Sequence, residues 1–188
     1  MNKNNILFNY IFFFLFSFIG MMSLCAIIYP NYLFFDYHIS DLGSLYLKDG
    51  VTLNVYSWVF QFTLLFLSIL SFVFSFFFFK NEYNFEGIIV FILGLSSIFV
   101  ALPTDVYVLE HRLGAVFLFF SLWILVGKMF LKSSNYVLLL VTSFVNFIYV
   151  LFSFHILEGN TPMIQKISFI TISINVIIFF LINFHKKR

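Results

Sequence analysis

Most of the side chains able to do chemistry lie in two short stretches of the chain. The first, Pro30 to Asn54, contains Asp36, His38, Ser40 and Asp41, and the second, Pro103 to Arg112, contains Asp105, His111 and Arg112. A further histidine, His155, comes later. Imidazole and carboxylate groups are zinc ligands and also serve as general acids and bases. Whether these groups can bind a metal or take part in catalysis therefore depends on whether the fold brings them together.

Two interpretations of these residues remain open. Convergence of the two stretches, with His155, at one end of a bundle would provide zinc with nitrogen and oxygen ligands and an open position for water. The ligands would come from His38, Asp41, His111 and His155, with Asp105 close by. No HExxH or similarly compact ligand spacing is present, so we expect no resident cofactor and keep zinc as the alternative. The other interpretation is a hydrogen-bonded lid in which Asp41 or Asp36 pairs with Arg112 and His111.

Composition indicates that the scaffold is a membrane protein. Of the 188 residues, 62% are hydrophobic and only 10% are charged, whereas about 25% are charged in an average soluble domain. The mean hydropathy is +1.05. We therefore predict a multi-pass protein of the cell membrane. The net charge of +2 is too small for a nucleic-acid surface, and the single cysteine, Cys25, excludes an intrachain disulfide.

Six segments meet or approach the roughly 20 apolar residues that a helix needs to cross a bilayer. They are Ile6 to Tyr29, Val55 to Phe79, Gly87 to Leu102, Leu113 to Leu131, Tyr136 to Leu157 and Ile164 to Phe184. The first is too long for the apolar region of a secretory signal and is expected to be retained. The predicted fold is an all-α polytopic bundle of six transmembrane helices, forming one domain over residues 1–188.

Basic residues predict that both termini are cytoplasmic. In this orientation the inner side carries Lys3, Lys80, Lys128, Lys132, Lys186, Lys187 and Arg188, and the outer side only Lys48, Arg112 and Lys166. That distribution follows the positive-inside rule. Most of the acids, and His38, His111 and His155, then lie outside. We expect Lys128 and Lys166, near helix ends, to extend to the lipid headgroups.

Small polar residues recur at helical spacing inside three of the predicted spans. They are Asn54, Ser57, Gln61, Ser68, Ser71 and Ser75 in the second, Ser143, Asn146 and Ser153 in the fifth, and Ser168, Thr171 and Asn175 in the sixth. Such stripes are typical of close helix packing in membranes. No Asp, Glu, Arg or His lies in the middle of a span, so solute transport is the weakest functional hypothesis.

Local patterns predict how the two polar stretches fold. In the sequence ISDLG, Ser40 or Asp41 can accept hydrogen bonds from nearby amides, and Gly43 is expected to adopt a positive φ in a tight turn. Thr104 or Asp105 is expected to cap the fourth helix. His111 would share one face of that helix with Tyr107 and Ala115.

The sequences FFDYHISDLG and LPTDVYVLEHRLGAVFLFF resemble an uncharacterised prokaryotic six-span membrane family catalogued as domain of unknown function 998. Ile39 to Gly43 fit that family's motif after the first helix, and Pro103, Asp105 and His111 fit its proline, acid and histidine before the fourth. Leu102 stands where the family more usually has Phe, and His38 where Asn or Thr is expected. A more distant kinship is with the FRAG/DRAM/Sfk group. The resemblance implies a six-span fold over nearly the whole chain and no assigned reaction.

Two functional hypotheses follow from these observations. The favoured one is a non-catalytic membrane protein that binds or organises lipid, or a protein partner, through a polar outer cap, meaning Pro30 to Asn54 together with Pro103 to Arg112. The alternative is an intramembrane metal-dependent hydrolase acting on a lipid headgroup or an amide at the outer face. Its candidate metal ligands or acid and base groups are His38, Asp41, His111 and His155.

Overall fold

The computed structural model describes residues 3–133, 136–153 and 161–185, and these residues form an all-helical bundle. The α-helices are α1 (Lys3–Ile28), α2 (Ser57–Lys80), α3 (Asn84–Ala101), α4 (Val108–Ser133), α5 (Tyr136–Ser153) and α6 (Thr161–His185). A short 3-10 helix, here called the ISDLG turn, covers Ile39–Gly43. The predicted fold class, a helical membrane bundle, is confirmed.

Five of these helices are long and apolar enough to cross a bilayer. Their apolar spans are Ile6–Ile28, Ser57–Lys80, Asn84–Ala101, Val108–Leu131 and Pro162–Phe179. In α5 the apolar helix is shorter, at Tyr136–Phe152. Residues 154–157, with which the predicted fifth span ends, lie outside the described part of the chain. The side of the membrane that the termini face, and the single domain over 1–188, stay predictions.

Close helix packing depends on small residues, as the polar stripes predicted. The Ser71 hydroxyl lies 2.7 Å from that of Tyr10, which links α2 to α1, and Ser75 donates to the Gly87 carbonyl oxygen at 2.8 Å, which links α2 to α3. At Gly114 in α4, an added Cβ would lie 2.5 Å from the Cβ of Phe99 and 2.9 Å from a backbone nitrogen of α3. The backbones of α3 and α4 therefore approach too closely for any larger residue there.

An ion pair with a buried carboxylate joins the beginning of α3 to the last turns of α4. The Glu86 carboxylate, only 1% exposed, lies 2.5 Å from the Lys128 ammonium, which also sits 4.2 Å from the centre of the Phe85 ring. Because a buried carboxylate requires a nearby countercharge, Lys128 turns towards the bundle. The Lys128 side chain is still 39% exposed, so its extension to the headgroups stays a prediction.

Candidate functional site

Asp41 organises the ISDLG turn. Its carboxylate accepts a hydrogen bond from the His38 backbone amide at 2.9 Å, and its own amide donates to the His38 carbonyl oxygen at 3.2 Å. The Ser44 hydroxyl donates to the Asp41 carbonyl oxygen at 2.6 Å. The Lys48 ammonium lies 3.1 Å from the carboxylate. The predicted role of Asp41 as an acceptor for nearby amides is confirmed.

Gly43 is needed for space and not for an unusual backbone conformation. Its φ is not in the left-handed region, which among the glycines of the described chain only Gly50 adopts, at 70°. The prediction of a positive φ at Gly43 is therefore wrong. A Cβ at this position would lie 2.5 Å from a ring carbon of Phe60. The ISDLG turn thus rests directly on an aromatic ring of α2, which excludes a side chain at Gly43.

Asp105 joins the two halves of the outer cap. Its two carboxylate oxygens accept hydrogen bonds from the backbone amides of Leu45 at 3.0 Å and Tyr46 at 2.9 Å. The neighbouring Thr104 hydroxyl lies 3.4 Å from the Ser40 carbonyl oxygen, to which it donates. Both side chains therefore bind the first stretch, and α4 begins only at Val108. The prediction that Thr104 or Asp105 caps α4 is wrong.

The beginning of α6 holds the segment that leads into the ISDLG turn. Gln165 accepts a hydrogen bond from the Ile39 amide at 2.9 Å, and the Lys166 ammonium donates to the carbonyl oxygens of Phe34 and Tyr37. Lys166 is only 4% exposed. The expectation that Lys166 extends to the headgroups is wrong, because its positive charge binds backbone carbonyls instead. Gln165 was not predicted as a site residue, because a single glutamine in an apolar helix belongs to no recognisable motif.

His111 is buried at the junction of α3 and α4. It is 4% exposed, and its Nδ1 lies 3.0 Å from the Leu102 carbonyl oxygen at the end of α3. Because a carbonyl oxygen can only accept, Nδ1 carries the proton, and Nε2 of the neutral ring has the lone pair. Neither Asp41 nor Asp36 forms the predicted pair with His111 or Arg112, since Asp41 binds Lys48 and His111 binds Leu102.

A half-open cavity of about 410 Å³ lies between the ISDLG turn and α4, α5 and α6. Five predicted site residues line it: His38, Ser40, Asp41, His111 and Arg112. Thr104 and Gln165 are further polar residues of the lining, and apolar side chains from α4 and α5 form the remainder. Asp36 and Asp105 do not line the cavity, and His155 lies outside the described residues. The cavity size is in the usual range for small-molecule pockets, about 300 to 1,000 Å³.

Burial keeps the imidazole of His38 neutral. Desolvation lowers its pKa most strongly, the nearby Asp41 carboxylate opposes this, and the ammonium groups of Lys48 and Lys166 lower it further. The ring also hydrogen-bonds to the Gln165 side chain. On the same cap, burial raises the pKa of Tyr32 to about 12. Both groups therefore remain uncharged near neutral pH.

Within the described ranges, no three His, Cys, Asp or Glu side chains are placed together to hold a metal ion. His155, one of the four proposed ligands, does not belong to those ranges. A histidine that binds a metal through one ring nitrogen commonly donates a hydrogen bond from the other nitrogen to a carbonyl oxygen, which orients the ring. The Nδ1 of His111 makes such a bond to a carbonyl oxygen. Zinc binding stays a hypothesis.

Comparison of the chain with protein-family models, with curated proteins and with solved structures gives no match. The resemblance to the six-span family therefore stays a prediction that rests on the ISDLG sequence and on the Pro103, Asp105 and His111 spacing.

Proposed function

We propose that this multi-pass membrane protein binds a lipid of the cell membrane in the cavity beneath its outer cap. The observation that carries the proposal is the composition of the cavity wall. Part of the wall is polar, with groups of His38, Ser40, Thr104 and Arg112, and part is apolar, with the side chains of Val108, Leu109, Leu113, Val116 and Phe152. A lipid has the same division between a polar headgroup and an apolar chain.

The position of the cavity supports a ligand from the bilayer. Leu109 and Leu113, which line it, are 66% and 44% exposed, and both belong to the α4 segment that is apolar enough to span a membrane. Exposed leucines on a spanning helix face acyl chains in a bilayer. We favour lipid over a protein partner because a recess of this kind suits a narrow ligand better than a protein surface does.

The hydrogen bonds and ion pair that the polar groups make within the protein favour binding over catalysis. The Asp41 carboxylate is held by the His38 amide and Lys48, and His111 is bound to a helix-end carbonyl. An activated nucleophile needs a base within hydrogen-bonding distance. The Ser40 hydroxyl has no such partner among the described residues.

The experiment is to identify lipids retained by the detergent-purified protein by native mass spectrometry. A Leu113→Trp variant should lose them, because the larger side chain fills the cavity. Leu65→Trp on α2 is a matched control, since Leu65 is similarly exposed at 39% but does not line the cavity. Equal lipid retention in wild type and Leu113→Trp, or none in the wild type, would contradict the proposal.

The hydrolase is the second candidate, because two histidines, Asp41 and Ser40 line one cavity. In this case a metal would activate water at the lipid headgroup. Its test is the metal content of the purified protein. Stoichiometric zinc that is lost in His111→Ala would favour the hydrolase over a binding protein, whereas absence of bound zinc would reject the zinc-dependent version.

A further inference from the structure

We infer that the lipid headgroup held in this cavity is anionic and that Arg112 is the cation that binds it. This inference rests on the proposed function and specifies its ligand. The ligand class is a lipid with a phosphate or a carboxylate attached to an acyl chain. Either group has oxygens that can accept two parallel hydrogen bonds from one guanidinium.

The argument begins with the charged groups around the cavity. Asp41 is neutralised by the Lys48 ammonium at 3.1 Å. The Lys166 ammonium is bound to the Phe34 and Tyr37 carbonyl oxygens and is buried. Arg112 lines the cavity, is exposed, and has no ion-pair partner within the part of the chain that the structure describes. Among the described residues that line the cavity, Arg112 therefore has the positive charge that a ligand can neutralise.

Glu110 does not neutralise Arg112, although it is the nearest acid in sequence. Residues two apart on a helix point in directions about 200° apart, so the two side chains lie on opposite faces of α4. Glu110 does not line the cavity. An anion bound beside Arg112 would thus meet no acid on α4 itself, and Asp41, the acid across the cavity, already has its counterion.

Hydrogen-bond donors also line the cavity. The carbonyl oxygen of the Gln165 side chain accepts from the Ile39 amide, and this side chain also hydrogen-bonds to the His38 ring. Its NH₂ group has two hydrogens, so at least one of them can be donated to a ligand. The Ser40 hydroxyl adds another donor. Val108 and Leu109, which also line the cavity, are the first residues of α4, and first-turn amides have no acceptor within their own helix. Donors of this kind suit an anion.

The acyl chain is expected to follow α4 towards the middle of the bilayer. Leu109, Leu113 and Val116 line the cavity at spacings of four and three, which place them on one face of the helix. Leu109 and Leu113 are also exposed, so this part of the cavity wall is accessible from outside the bundle. A lipid can therefore enter laterally, with its headgroup at Arg112 and its chain along this face.

The test is the melting temperature of the full chain in an uncharged detergent with single lipids added. The probes are phosphatidylglycerol, phosphatidic acid, a long-chain fatty acid, phosphatidylcholine and diacylglycerol. We expect the anionic lipids to raise the melting temperature, since a ligand that binds only the folded state stabilises it. Stabilisation by phosphatidic acid but not by the fatty acid identifies phosphate as the preferred anion, and the reverse identifies carboxylate.

Arg112→Gln should weaken binding of the anionic lipid about tenfold, the scale of one charge-assisted interaction. Arg112→Lys should restore part of it, because the charge remains without the paired donors. Lys80→Gln removes an exposed positive charge at the far end of α2 and should have no effect.

Three outcomes would overturn the inference, and they lead to two distinguishable conclusions. If phosphatidylcholine and diacylglycerol stabilise the protein as well as the anionic lipids, and Leu113→Trp abolishes all of these effects, the cavity binds lipid without selecting an anion. The same conclusion follows if Arg112→Gln leaves an anionic preference unchanged. If no lipid changes the melting temperature, the proposed function fails together with the inference.

Discussion

The Lys166 ammonium at the beginning of α6 donates a hydrogen bond to the carbonyl oxygen of Tyr37, a residue 129 positions earlier in the chain. The same ammonium reaches the Phe34 carbonyl oxygen and lies 4.7 Å from the centre of the Phe34 ring. One buried cation therefore ties the loop after α1 to the last helix. The next residue after Tyr37 is His38, so this contact also positions one wall of the cavity.

Lys166→Met should loosen the loop that precedes the ISDLG turn. Methionine has a similar length but donates no hydrogen bond, so the two carbonyl groups lose a charged partner. We expect a loss of about 1 to 3 kcal/mol in the free energy of unfolding. Hydrogen exchange should speed up at the amides of residues 34–39. Lys80→Met, at an exposed position, should leave that exchange unchanged.

Asp41→Asn should destabilise the fold. Asparagine can still accept from the His38 amide, but it cannot form the ion pair with Lys48. We expect a loss of about 0.5 to 1.5 kcal/mol, because the acceptor becomes neutral and the partly exposed ion pair is lost. Melting in detergent measures the change. Asp36→Asn is the control, since Asp36 is exposed, and equal melting of Asp41→Asn and wild type would contradict the role given to Asp41.

Gly114→Ala should destabilise the contact between α3 and α4. The added methyl group would meet the Phe99 side chain at 2.5 Å and the α3 backbone at 2.9 Å. Overpacking of this kind costs about 1 to 3 kcal/mol. Gly20→Ala in α1 is the control, because nothing lies within 4 Å of its added Cβ. Gly114→Ala should therefore lower the melting temperature, and Gly20→Ala should not. Equal melting temperatures of the two variants would show that α3 and α4 can move apart without cost.

Stability should fall in mild acid partly because of His38. Burial lowers its folded pKa below the unfolded value of about 6.5. The unfolded chain therefore takes up the proton first, and the stability present above pH 6.5 is lost as the pH falls through the folded pKa. Charged or titratable groups around His38 are Asp41 and Lys48 on its own segment, Lys166 on α6, and His111 and Arg112 on α4.

The measurement compares melting temperatures of wild type and His38→Asn between pH 7.5 and 5. Asparagine does not titrate, so the variant should lose less stability over this range. Carboxylates titrate in both proteins and cancel in the comparison. Parallel curves for the two proteins would mean that His38 is protonated equally in the folded and unfolded states.

The predicted orientation can be tested with an impermeant thiol reagent on intact cells. A cysteine introduced at Ser134, between the fourth and fifth predicted spans, should resist labelling because that loop is expected to be cytoplasmic. Val51→Cys is the control, since Val51 is 80% exposed in the outer cap and should react. The native Cys25 is buried and should not interfere. Labelling at 134 but not at 51 would reverse the orientation.

Hydropathy was sufficient to predict the fold class, because a bilayer demands long apolar helices wherever a chain crosses it. The turn at Asp41 was also predictable, since Asp41 and the His38 amide that it binds are only three residues apart. Local geometry places such groups together whatever the rest of the chain does. In α2, the spacing of Ser71 and Ser75 likewise predicted the packing that the structure contains.

Only the tertiary structure identified the partners of Asp105, His111 and Lys166. Each of these side chains binds backbone groups, at Leu45 and Tyr46, at Leu102, and at Phe34 and Tyr37. Every residue except proline has the same backbone amide and carbonyl groups, so a sequence contains no sign of which ones will be bound. The sequence determined that polar groups would gather at one end of the bundle. The contacts that Thr104, Asp105 and the beginning of α6 make with the first stretch decided which of these groups hold the cap and which line the cavity.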